Sequence, residues 1–199
     1  MITLYGLPLS GHTHRVAAFL SILGLDHAVE TTSVDAPGLR ALNPLCQVPV
    51  LKDGDLVLCD SSAILVYLAK AYGAGTQWLP EDPVGAAHVQ RWLSIAAGEI
   101  RQGPAAARMV ALFDKPGEPA DAIEKAAAIL AFMDAFLLST PFLAADHPTI
   151  ADLACYAYVA RAPEGQVSLA PYANVQAWIA RVEAIEGFLP MPWADAHGG

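Results

Sequence analysis

Basic residues are scarce in this chain. Eleven Lys and Arg stand against twenty Asp and Glu, a formal net charge of −9. Nucleic acids and anionic membranes are bound through basic patches, so neither is expected as a partner. Cysteine is scarcer still. Cys46, Cys59 and Cys155 form an odd set at irregular spacing, neither a disulfide framework nor a zinc site. Reduced thiols in a cytoplasmic protein, with no metal, are the expectation. No apolar run reaches the ~18 residues needed to cross a bilayer. Met1 opens directly into an apolar, strand-like run, without a basic n-region or a small-residue cleavage site, so no secretory leader is expected.

Apolar surface, by contrast, is abundant. Hydrophobic residues are 55% of the 199, against 16% charged, ample for a packed core. The negative charge is uneven: residues 1–75 carry four Lys/Arg and six Asp/Glu, and the remainder seven and fourteen. The first part is thus less hostile to an anionic ligand than the second.

Two halves follow from periodicity. Ile2–Tyr5 reads as a short strand. Apolar positions recur at helical spacing from Thr13 to Leu23, closed by Gly24. His27–Val34 is β-branched and reads as a strand, with a weak helix over Gly38–Leu42. Val48–Lys52 and Leu56–Leu58 form a hairpin across Asp53-Gly54-Asp55, and a helix follows over Ala63–Ala71. The order β-α-β-(α)-β-β-α is a compact α/β unit. Glycine and proline cluster over Gly73–Val84, after which strand signals nearly vanish. Gly85–Ala97, Glu99–Phe113, Ala120–Leu138, Thr149–Arg161 and Val175–Glu186 all read as helices. The expected boundaries are an α/β domain over 1–73, a linker over 74–84 and an all-helical domain over 85–199.

Three local features carry candidate chemistry. Val48-Pro49 stands in a strand, where Pro belongs at an edge or beside a special function. X-Pro bonds take the cis form at low cost, and a cis bond there would turn the Val48 backbone toward an extended peptide ligand. An ordinary edge proline is the plain alternative. Asp60-Ser61-Ser62-Ala63-Ile64 opens a helix whose unpaired N–H groups and dipole suit a carboxylate. Ser61 can add a hydroxyl and Asp60 can accept from an ammonium; a simple N-cap is the alternative. The loop Leu7-Pro8-Leu9-Ser10-Gly11-His12-Thr13-His14-Arg15-Val16 brings the Ser10 or Thr13 hydroxyl to another helix start, where capping is again the plain reading.

Taken together, the hydroxyl loop, Asn43-Pro44-Leu45-Cys46-Gln47-Val48-Pro49-Val50-Leu51 and Asp60-Ser61-Ser62-Ala63-Ile64 resemble, in order and spacing, the N-terminal half of the cytosolic glutathione transferase superfamily. Pro148-Thr149-Ile150-Ala151-Asp152 resembles the family's helix-capping box, a folding element. The resemblance covers nearly the whole chain. It implies an α/β plus all-α fold, a thioredoxin-like domain followed by a helical one. In kind it points to a bacterial, serine-type member, phi- or nu-like.

The resemblance further implies an enzyme that uses glutathione as co-substrate and activates its thiol for attack on a small hydrophobic electrophile, a detoxification chemistry. Alternatives on the same fold are a glutathione-dependent disulfide reductase or peroxidase, and a non-catalytic binding protein. Ser10 is the implied hydroxyl donor to sulfur, with Thr13 as second choice. Tyr5 is too early and Cys46 lies in another loop. His12 is a further catalytic candidate, able to donate to sulfur or to the glycyl carboxylate. Gln47, Val48, Pro49, Asp60 and Ser61 are the implied glutathione-binding set. One departure is plain: Ser33-Val34-Asp35-Ala36 lacks the family's basic residue for the glycyl carboxylate, leaving Arg40 or Lys52 as substitutes.

Ile100, Arg101, Gln102, Pro104, Arg108 and Met109 are acceptor-site candidates by position. Arg101 and Arg108, seven apart, are expected on one helix face, either facing an anionic acceptor or solvated. Trp78, Trp92 and Trp178 are expected in packing roles, and Trp193 as a cover for the acceptor site. A homodimer is implied, burying apolar residues of the fourth-helix and linker region against early helices of the partner's bundle.

Overall fold

The computed structural model describes residues 1–114 and 116–194. Four strands form one sheet in the order β2-β1-β3-β4: β1 (Ile2–Gly6), β2 (His27–Thr31), β3 (Val50–Asp53) and β4 (Leu56–Cys59). β2 runs parallel to β1, with Leu4 opposite Val29. β3 is antiparallel to β1 and β4, with Leu51 opposite both Leu4 and Leu58. The parallel pair needs a crossover, and α1 (Gly11–Ile22) provides it. After α2 (Pro37–Leu42) and the hairpin, α3 (Ser61–Tyr72) returns beside α1. Helices α4 (Pro83–Ala97), α5 (Ala106–Phe113), α6 (Pro119–Leu137), α7 (Ile150–Ala160) and α8 (Ala173–Glu183) complete the chain. The fold is therefore α/β followed by all-α, a thioredoxin-like unit joined to a helical one.

Local chemistry explains where the strands differ from expectation. β2 stops at Thr31, because Ser33 Oγ accepts the Asp35 N–H at 3.2 Å and Ser33 O accepts the Ala36 N–H at 3.0 Å. That turn ends the extended run before Val34. β3 starts after Pro49, which has no N–H to give a ladder. The Val48–Pro49 peptide bond is cis.

The helical differences are more consequential. Pro104 lacks an amide hydrogen, so the ladder over 99–113 cannot run as one α-helix. Residues Arg101–Ala105 take π geometry instead, with the Ala106 N–H reaching the Arg101 carbonyl. The inserted residue rotates everything downstream. Arg101 stays exposed while Arg108 is 1% exposed, so the two do not share a solvated face. α4 begins at Pro83, capped by Asp82 Oδ1 on the N–H groups of Val84 and Gly85. A short 3-10 turn over Ala162–Gly165 follows α7.

α7 is the hub. Every residue from Ile150 to Ala160 is buried, and the helix packs on α1, α3, α4 and α8. Its alanines at 151, 154, 157 and 160 let neighbouring backbones approach closely. Val16, Phe19 and Leu20 of α1 and Ile64, Leu65 and Leu68 of α3 are wholly buried, each side chain contributing about 1.5–3 kcal/mol by leaving water. Trp78 sets its ring edge-to-face on Phe19 at 5.2 Å, and its carbonyl accepts the Ile150 N–H at 3.0 Å. Trp92 and Trp178 are core residues, as expected.

At the start of α7, Asp152 and Thr149 form the capping box. Asp152 accepts from the Thr149 N–H at 2.9 Å, the Leu143 N–H at 3.0 Å and Trp178 Nε1 at 2.9 Å. Burial raises its pKa despite these donors.

Candidate functional site

Ser10 is the N-cap of α1. Its backbone is extended (φ −83°, ψ 118°), and its Oγ accepts the Thr13 N–H at 3.3 Å. The hydroxyl hydrogen finds no acceptor among the described residues. Thr13 is buried and turned away, its Oγ1 accepting the Leu7 N–H at 3.2 Å. Both hydroxyls only accept among the described residues, and exposure separates them: Ser10 is half-buried and Thr13 buried. Tyr5 is committed to β1, opposite Val50.

α3 begins beside this point. Asp60 is its N-cap, with Oδ1 accepting from the N–H groups of Ser62 and Ala63, both at 2.9 Å. Its φ of +70° is a conformation L-residues rarely adopt, and such outliers collect at functional sites. Ser61 is 4% exposed. Its Oγ lies 3.2 Å from His12 Nδ1 and 3.3 Å from Arg15 Nη1. One hydroxyl thus ties residues of α1's first turns to the start of α3.

The charges around this hydroxyl are unusual. Arg15 is 1% exposed, and among the described residues no carboxylate pairs with it and its buried Nε and Nη2 have no partners. Desolvation lowers its pKa, opposed by Tyr158, Cys155 and Asp60 nearby. His12 is held neutral: burial first, then the cations Arg15 and Arg101, lower its pKa to about 3. A guanidinium only donates, so Arg15 fills one lone pair of Ser61 Oγ. In the tautomer with its proton on Nδ1, the neutral His12 fills the other. The Ser61 hydroxyl hydrogen then remains for a ligand acceptor.

Asn43 organises the second loop. It is 4% exposed; its Nδ2 donates to the Gln47 carbonyl at 2.9 Å, and its Oδ1 accepts the Leu45 N–H at 3.1 Å. Cys46 takes a left-handed φ of +53°, which turns the chain toward Gln47 and Val48. Gln47 is exposed, Val48 half-buried and Pro49 buried. Arg40 and Lys52 are both exposed.

The acceptor-side expectations need correction. Ile100, Pro104 and Arg108 are buried in packing and line no surface. Arg101, Gln102 and Met109 keep exposure. Arg108 is neither solvated nor facing an open pocket. Its Nε pairs with Glu164, and its Nη1 donates to the Leu9 carbonyl at 2.8 Å. Trp193 is 47% exposed and lies over the Arg161 guanidinium, 4.1 Å from ring centre to Cζ.

Tyr158 escaped the sequence reading. It is 6% exposed, and its ring lies flat against Gly11, where any Cβ would sit 2.8 Å from the phenol Cζ. Burial raises its pKa, offset by Arg15, Arg108 and the backbone N–H groups of His12 and Gly11. Within an apolar helix no pattern distinguishes this tyrosine; only Gly11, at a helix start, hints at a close approach.

In chemical terms, the site joins a free hydroxyl at the start of α1 to a hydroxyl and an acidic cap at the start of α3, which the buried Arg15 of α1 reaches. It can hold a zwitterionic end group at α3 and stabilise a developing anion at α1.

Comparison with known proteins gives the family. The model of the glutathione S-transferase N-terminal domain matches residues 4–77, and that of the C-terminal domain matches 104–186. Glutathione S-transferase 3 of Zea mays is 34% identical, with 96% of each chain covered. Among solved structures, a glutathione S-transferase from Xanthobacter autotrophicus superposes with a TM-score of 0.91 at 32% identity, covering 99% of this chain and all of that one. A delta-class glutathione transferase from Nilaparvata lugens gives 0.84 at 31%, covering 92% and 89%. The chain belongs to the cytosolic glutathione transferase superfamily, enzymes whose co-substrate is glutathione.

Proposed function

We propose that the protein activates the glutathione thiol at Ser10 for attack on a small hydrophobic electrophile. The observation that carries this reading is the bond between His12 and Ser61. It sets the start of α1, with its free Ser10 hydroxyl, beside the start of α3. Glutathione carries a thiol and a γ-glutamyl zwitterion, and the two helix starts offer one group for each. Asp60 receives the ammonium, and Ser61, backed by Arg15, receives the α-carboxylate. Val48 pairs its backbone with the cysteinyl unit, between Pro49 and Gln47, which lies on the glycyl side.

The chemistry follows from the thiol. At an ordinary pKa of about 8.5 little is ionised at neutral pH. Lowering it by about two units requires about 2.7 kcal/mol of preference for the thiolate. A hydroxyl hydrogen bond to sulfur and the α1 dipole supply energy of that order. The thiol proton leaves to solvent, the sulfur lone pair forms the bond to electrophilic carbon, and the leaving group departs with its electron pair. His12 stays neutral and acts by orienting Ser61.

The remaining parts of the reading are the division into 1–73, 74–84 and 85–199, a cytoplasmic location, a serine-type class and a homodimer. Exposed Leu45, Tyr72, Val84 and Phe132 support the last. A monomer in sedimentation at micromolar concentration would remove it.

The test is an ultraviolet pH titration of enzyme-bound glutathione, read at the thiolate absorbance. The wild-type thiol titrates well below 8.5, and in Ser10→Ala the value rises while binding is retained. An unshifted thiol in the wild type refutes activation and leaves a binding protein.

A further inference from the structure

Arg108 is spent in an unusual way for a buried cation. Its Nε pairs with Glu164, whose side chain is 7% exposed, and its Nη1 donates to the Leu9 carbonyl. Its Nη2 is buried with no partner among the described residues. Replacing a buried ion pair with uncharged groups of similar size is often neutral or stabilising. Stability alone therefore gives little reason for this arrangement.

The Leu9 carbonyl belongs to the peptide unit that carries the Ser10 N–H. That N–H donates to the Leu7 carbonyl at 3.1 Å. The Leu9–Ser10 peptide plane is thus pinned at both edges, by Leu7 from within the loop and by Arg108 from α5. The following peptide unit is held by the His14 N–H on the Ser10 carbonyl at 2.9 Å, so the two units together set the Ser10 Cα–Cβ direction, and the Thr13 N–H on Oγ sets where the hydroxyl lies. Among the described residues, Arg108 makes the one hydrogen bond that reaches residues 7–10 from beyond α1.

Arg108 is itself held by the next layer. Glu164 uses Oε2 for Arg108 and Oε1 for the Ala194 N–H, at 2.6 Å. Arg161 grips the same C-terminal segment at the Met191 and Pro192 carbonyls. Gly165 lets the 3-10 turn reach α5, since a Cβ there would meet the Arg108 N at 2.6 Å.

We infer that Arg108 is a positioning residue for Ser10, holding the thiol-activating hydroxyl through the Leu9 carbonyl, with Glu164 tying that hold to the C-terminal segment. The inference rests on the reading of Ser10 given above. A lysine keeps the charge but loses the fork that serves Glu164 and Leu9 together, so position and charge can be separated.

The experiment compares wild type, Ser10→Ala, Arg108→Lys, Ser10→Ala/Arg108→Lys and Arg108→Met/Glu164→Gln. The last removes the pair without leaving a buried lone charge, and serves if Arg108→Lys does not fold. Each is titrated with bound glutathione and assayed with an activated aryl chloride. In both Arg108 variants the bound-thiol pKa is expected to rise by about one unit and kcat to fall about tenfold. KM for glutathione stays within about threefold. In the Ser10→Ala background, Arg108→Lys adds no further shift. Wild-type thiol pKa in folded Arg108 variants, with Ser10→Ala shifted, overturns this inference alone. Additive shifts in the Ser10→Ala background overturn positioning in favour of a direct field effect. No shift in Ser10→Ala overturns the reading of Ser10, and this inference with it.

Discussion

Acid should unfold this protein through His14, and the magnitude can be worked out. His14 is 9% exposed, and its Nε2 donates to the Leu189 carbonyl at 2.6 Å. Its Nδ1 is buried without a partner among the described residues. The rings of Tyr156 and Phe188 close around it, and Arg15 and Arg161 are the charged neighbours. Burial, with help from the two arginines and against the Leu189 carbonyl, lowers its pKa from 6.5 to about 4. Between those values the unfolded chain binds a proton that the folded chain refuses. Stability is therefore full above pH 6.5 and is lost as pH falls toward about 4, at about 1.4 kcal/mol per pH unit. Integrated from pH 7 to pH 5, the loss is about 2 kcal/mol. His12, lowered to about 3, acts in the same direction and adds at most a similar amount. The measurement is urea unfolding at pH 7 and pH 5, at one protein concentration because a dimer's stability depends on it. In His14→Gln the side-chain amide can donate to Leu189 without titrating, so its loss over the same interval should be about 2 kcal/mol smaller. Taking the difference between proteins cancels the carboxylates, including Asp152, whose raised pKa acts in the opposite sense. An equal loss in wild type and His14→Gln would refute the reasoning.

Asp152→Ala removes the acceptor for Trp178 Nε1 and for the Leu143 and Thr149 N–H groups. It should cost about 3–5 kcal/mol in urea unfolding without altering the bound-thiol titration. Gly165→Ala forces a Cβ to within 2.6 Å of the Arg108 N. It should cost about 1–3 kcal/mol and raise the bound-thiol pKa in the direction of the Arg108 variants.

The outline of the fold and part of the site were legible because they depend on local chemistry. Ser10 and Asp60 are polar caps a turn or two ahead of apolar residues at helical spacing, and each caps the helix that follows it. Asp53-Gly54-Asp55 marks a turn that the hairpin contains, with Gly54 at φ +58°. The Thr149–Asp152 box is a short-range pattern with one geometric solution. Asn43 was visible as part of a motif, but its task is to shape the backbone up to Gln47 rather than to touch a ligand.

The second layer was illegible because its meaning is set by what covers each residue. Arg15 looks like one cation on an amphipathic helix, and α7 together with the start of α3, packed over α1, buries it. Glu164 lies in a turn too short to show a period. Arg108 is the instructive case. Seven residues separate it from Arg101, and an unbroken ladder would put both on one face. Pro104 was in plain view, and it predicts a break in the hydrogen bonding. How the chain absorbs that break, by a bend or by an inserted residue, is decided by packing against α6. There Gly103 admits the Ala126 backbone, and a Cβ would lie 2.7 Å from the Ala126 N. The insertion turns Arg108 inward, toward Leu9 and Glu164. A phase shift of one residue thus converts an apparent surface charge into a support for the loop that carries Ser10.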